Sequence, residues 1–180
     1  MIIIVNDRIH ERIATMRKQG GPRGESAGFL IAQVGAHAAS RFGEALKPHG
    51  FTPHDAGILR LVGQTPGISQ QDLAKRLRMH ASRLVGVLDD LEKRTLVERR
   101  PSATDRRLYA LHLTKSGEAA LATIGQIARE HHRNLLASLS EEERASLAAM
   151  LSRIAEQQGL TPGVHPGYSR DGAASDTKTP

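Results

Sequence analysis

The stretch RRPSATDRRLYALHLT, residues 99–114, places four arginines (Arg99, Arg100, Arg106 and Arg107) on the two arms of a short polar loop. A guanidinium keeps its charge at any physiological pH and offers a planar fork of donors that fits phosphate oxygens. Such groups bind polyanions; they do not trade protons. Asp105 stands two residues before Arg107, so on an extended strand both side chains point the same way and the carboxylate can orient the guanidinium. Upstream, Ser69, Gln70 and Gln71 put a hydroxyl, two amides and free backbone N–H groups at a helix start, a second arrangement suited to phosphate. Between the two, Ser82, Arg83, Val85, Gly86 and Asp89 lie on or near one side of a helix whose other side is apolar, and His80 and Ala81 stand at its entry. Small polar side chains and Arg on such a helix can reach base edges in a major groove. Gly86 would let it sit close, at some cost in helix propensity.

Charge agrees with this grouping. From Lys75 to Arg107 there are ten basic residues against five acidic ones, a net of +5 out of +6 for the chain. Lys115 to Glu156 carries five basic and six acidic residues, a net of −1. The positive field therefore belongs to one segment, as on a duplex-binding surface, where neutralised phosphates supply most of the non-specific affinity.

Other chemistries find little support. There is no Cys among the 180 residues, which excludes disulfides, thiol nucleophiles and Cys-based zinc sites. The nine histidines include His131 and His132 but no pair at i, i+4 on one helix, so no metal site and no cofactor is expected. His54 and Asp55 are neighbours that would not face each other on a helix, and no nucleophile accompanies them; no catalytic residue is expected. The N-terminal apolar run is too short for a signal peptide, and no later run reaches the length of a membrane span, so a cytoplasmic protein without a membrane partner is expected.

These groups need elements to position them. Residues 1–24 read as a flexible extension and residues 158–180, rich in Gly, Pro, Ser and Thr, as a disordered tail. In the body between, residues 25–157, Leu30, Val34, Ala38, Phe42 and Leu46 step by four along a first helix. Thr52 caps a second, with Pro53 at its first position, Asp55 three residues on and Gly63 at its end. Ser69 caps a short third helix carrying Asp72, Leu73, Ala74 and Leu77. The chain turns near Met79 and His80 into a fourth, with Leu84, Val87, Leu88 and Leu91 on one face. A hairpin follows, and then Thr114 and Ser140 cap two further helices, the latter with Glu143 in a capping box. The fold class is mainly α with a small β-hairpin wing (α+β): a helix-turn-helix over about 68–92, a wing over about 96–113, and flanking helices.

The segment GISQQDLAKRLRMHASRLVGVLDDLEKRTLVERRPSATDRRLYALHLT resembles the winged helix of the MarR family of transcriptional regulators. Its strongest marks are Asp105-Arg106-Arg107 followed by Leu113-Thr114, with LDDLEKR at 88–94 and LVERR at 96–100. With the flanking helices the resemblance covers roughly residues 25–157. It implies a homodimer whose first and last helices form the interface, and double-stranded DNA as partner, read as a palindrome by two winged helices. It also implies a small-molecule effector, repression as the usual outcome, and Arg107 as the wing arginine entering the minor groove, held by Asp105. The sequence departs from the family at His80-Ala81, where a small polar residue often precedes Pro, at Gly86, often Arg, and at Thr95, often Gly. The competing readings are a basic module that binds another macromolecule, and an enzyme, which no motif supports.

Overall fold

A computed structural model of the chain describes residues 26–101 and 109–164. It divides into two compact units, the first ending at Ala39 and the second beginning at Ser40. Helix α1 spans Ala27–Leu46. In the first unit, its residues Phe29, Leu30, Ile31 and Val34 are exposed. In the second unit, Phe42 packs against the core and Leu46 is fully buried.

The second unit runs α2 (Pro53–Gln64), β1 (Ile68–Ser69), α3 (Gln70–Leu77), α4 (Ala81–Lys93), β2 (Val97–Pro101), β3 (Tyr109–Leu113), α5 (Lys115–Leu135) and α6 (Glu141–Gln157). The caps are those the sequence predicts. Thr52 accepts from the Asp55 N–H at 3.1 Å while Asp55 accepts from the Thr52 N–H at 2.9 Å, the reciprocal pair of a capping box. Thr114 accepts from the Gly117 N–H at 3.0 Å, and Ser140 and Glu143 form the second box. Fully buried leucines from α2, α3 and α4 (Leu59, Leu73, Leu77, Leu84, Leu88 and Leu91) meet Leu111 of β3 to form the core.

Three features differ from the sequence reading. Helix α2 continues through Gly63 to Gln64. Gly63 is a packing point, because a Cβ there would stand 2.7 Å from a Leu121 methyl on α5. The wing gains a third strand: β1 pairs antiparallel with β3, Ile68 opposite Leu111, giving the order β1-β3-β2. The chain beyond Gln157 stays attached to the body through Val164, where the sequence suggested a tail.

The 3-10 turn Lys47–His49 that follows α1 and the helices α3, α4 and α6 end alike. Each closes with paired backbone bonds around a residue of positive φ: Gly50 (73°), Arg78 (51°), Thr95 (56°) and Gly159 (63°). Glycine fills two of these four positions.

Candidate nucleic-acid interface

Helix α4 has two distinct sides. Leu84, Leu88 and Leu91 are fully buried, whereas Ala81, Ser82, Val85 and Gly86 are exposed and Arg83 is half-buried. Nothing lies within 4 Å of a Cβ built on Gly86, so the backbone there faces open space. His80 is exposed at the N-cap but makes no side-chain cap bond. The free side of α4 is therefore small and polar at its N-terminal end, with one apolar contact, Val85, of the kind that meets a thymine methyl.

Helix α3 presents its N-terminus nearby in the chain. The half-buried Ser69 accepts from the Asp72 N–H at 3.0 Å and donates to its carboxylate at 2.7 Å. That hydroxyl bond holds the Asp72 carboxyl below its ordinary value, with help from Lys75 and Arg76. Ser69 is thus engaged by its own helix, and the anion-binding end of α3 already holds a carboxylate. Gln70 is half-buried and Gln71 exposed.

The basic residues fall into different roles. Arg99 has a side chain only 17% exposed; it donates to Asp89 at 2.6 Å and to Glu92, both on α4. Its guanidinium is committed to joining β2 to α4. Arg94 donates to the Gly50 carbonyl at 2.8 Å and to the buried carboxylate of Asp55 at 3.2 Å, with its guanidinium carbon 5.4 Å from the Phe51 ring centroid. Arg94 therefore clamps the end of α4 to the corner between α1 and α2. Arg100 stays on the surface, 2.5 Å from Glu98. Asp105, Arg106 and Arg107 lie outside the described residues. The sequence counted Arg94 and Arg99 as surface charge because their partners depend on tertiary placement. It gave no weight to Tyr109, which is 57% exposed at the start of β3.

Behind the wing an open groove of about 670 Å³ lies between the sheet and α5. It brings Arg100, His112 and Arg129 around Leu113 and Leu121, with Glu118 at its edge. Among the described residues no group of three or more His, Asp or Glu could hold a metal, and no helix is long and apolar enough to cross a membrane.

The MarR family profile matches residues 49–108, the helix-turn-helix and wing. A transcriptional regulatory protein assigned to the hcr operon of Thauera aromatica is 39% identical over 113 residues, 63% of this chain and 68% of that protein. The chain belongs to the MarR family of transcriptional regulators. Among solved structures, the repressor CouR bound to a 23-mer DNA duplex is 30% identical, with a TM-score of 0.66 over 76% of this chain and 99% of that one. A Mycobacterium tuberculosis MarR family protein in complex with salicylic acid is 27% identical, with a TM-score of 0.59 over 73% of this chain and 98% of that one.

Proposed function

We propose that this MarR-family chain is a cytoplasmic homodimeric repressor that binds a palindromic operator and is released from it by a small molecule. Its α4 enters the major groove, where Ser82, Arg83 and Val85 face base edges, and its wing carries Arg107 into the minor groove with Asp105 orienting it. The observation that carries this reading is the division of α4 into a fully buried leucine side and an exposed side that ends in Ala81, Ser82 and Gly86. A helix held this firmly from behind, with small residues in front, suits insertion into a groove.

Two apolar surfaces support the dimer. Met150, Leu151 and Ile154 are exposed on α6, and Phe29, Leu30, Ile31 and Val34 on α1. An isologous contact would cover such stripes. The groove lined by Arg100, His112 and Arg129 is suited to the effector, since it sets polar and charged side chains beside Leu113 and Leu121 and touches both β2 and α5.

Selection of bound fragments from random duplex DNA tests the reading. A recovered inverted repeat, bound far more tightly than random duplex, is the expected result. Binding without sequence preference would favour a basic module that grips another macromolecule.

A further inference from the structure

The segment GLTPGV, residues 159–164, follows the last helix and is rich in turn formers. The structure uses each of them. Gly159 adopts a φ of 63°, and its N–H and that of Leu160 donate to the carbonyls of Glu156 and Ala155, both at 2.9 Å. Those bonds end α6 and reverse the chain. The Val164 N–H then donates to the Thr161 carbonyl at 3.1 Å, with Pro162 and the positive-φ Gly163 at the two central positions, as a type II turn requires. A side chain at 163 would also meet the Arg60 guanidinium at 3.2 Å. The two turns seat Val164 against the hydrophobic core. They also aim the Gly159 carbonyl at Arg78, whose guanidinium donates to it at 3.0 Å across 81 positions of sequence.

Arg78 occupies the turn between α3 and α4, two residues before the N-cap of α4. It is exposed there, and an exposed guanidinium at the entry of a recognition helix is placed to neutralise a phosphate. We propose that residues 159–164 are an autoinhibitory strap that withholds Arg78 from duplex DNA, an inference that rests on the DNA-binding reading above. A neutral carbonyl is a weaker partner for a guanidinium than a phosphate. The strap can therefore hold Arg78 only because Val164, packed against the hydrophobic core, fixes it in place. Loosening that anchorage releases one cation to the duplex.

The test uses the full chain and random-sequence duplex across a range of salt. Val164→Asn removes the apolar anchor without adding charge. It should tighten binding several-fold at low salt and steepen the salt dependence by about one unit of slope, the contribution of one extra phosphate contact. Arg78→Ala alone should change little, and the double variant should return to wild-type behaviour. Gly163→Ala strains the positive-φ turn and sets a methyl against the Arg60 guanidinium, so it loosens the strap without changing its charge and should also tighten binding; it serves if thermal melting shows Val164→Asn to be unfolded. A folded Val164→Asn or Gly163→Ala that gains neither affinity nor slope overturns the strap. So does an Arg78→Ala that already costs a full unit of slope in the wild-type background. A wild type that binds no duplex at all removes the DNA-binding reading itself, and the strap's role with it.

Discussion

Arg99 shows how one side chain can be assigned by type and reassigned by surroundings. By type it belongs with the wing arginines. In place, it bridges β2 to Asp89 and Glu92 and is mostly covered. Arg99→Gln should therefore lower the stability of the free protein by about 1–3 kcal/mol, as expected for losing hydrogen bonds between charged groups. Chemical denaturation without DNA measures this. An unchanged midpoint would return Arg99 to the duplex surface. Thr95 makes the complementary case. It sits at a φ of 56°, where a β-branched residue is strained, and its hydroxyl donates to the neighbouring Arg94 carbonyl at 2.7 Å. Thr95→Gly should stabilise by about 1 kcal/mol, the relief of the left-handed backbone less the added freedom of the unfolded chain. A lower denaturation midpoint would show that the threonine hydroxyl matters more than the backbone. From sequence, Thr95 stood out only as a departure from the family's usual glycine; its positive φ supplies the reason for that glycine.

Among the elements, α4 depends most on its supports. Arg99 holds it to the wing, while Arg94 holds its end to the Gly50–Asp55 corner. Asp55 serves twice there, capping α2 and receiving Arg94 while only 5% exposed. Asp55→Ala should cost about 2–4 kcal/mol, combining a lost cap with an orphaned cation partner. It should also weaken operator binding in proportion to how far α4 shifts. Thermal melting and operator titration of the same sample measure both; a loss below about 1 kcal/mol would reduce Asp55 to an ordinary cap. Helix starts were legible in the sequence because a cap and its partner lie within three residues, as at Thr52 and Asp55 or Ser69 and Asp72. The supports of α4 were not, because Asp55 and Arg94 are 39 positions apart and only the folded core brings them together. Strand β1 escaped notice for a similar reason: two residues show no alternation, and Ile68 becomes a strand residue only because Leu111 lies opposite. Gly117 was silent as well. It lies buried in the first turn of α5, and a Cβ there would collide with the Leu96 backbone carbonyl.

At the scale of the whole molecule, composition marked residues 75–107 as the basic segment but overcounted its free charge, since Arg94 and Arg99 are tied to the protein. On α6 the structure leaves the apolar stripe of Met150, Leu151 and Ile154 uncovered. If that stripe is a dimer contact, Leu151→Asp should shift the mass in ultracentrifugation from dimer to monomer at micromolar concentration while the helix content by circular dichroism persists. A variant that stays dimeric would move the interface elsewhere. Of the tail that the sequence suggested over 158–180, residues 158–164 are ordered, while residues 165–180, like residues 1–24, lie outside the described residues. Gly and Pro suggested disorder, yet Gly159, Pro162 and Gly163 occupy the turn positions that demand them.

The span of the Arg78–Gly159 bond also gives this protein a history within its own synthesis. The wing and the recognition helix are joined by contacts only 7 to 10 residues apart, so they can form as soon as they leave the ribosome. The core of the helix-turn-helix closes on Leu111, and Gly159 follows Leu111 by 48 residues. At roughly 5–20 residues per second, that interval is about 2–10 seconds. Each nascent chain therefore passes through a period in which its helix-turn-helix exists and its Arg78 has no carbonyl to hold it.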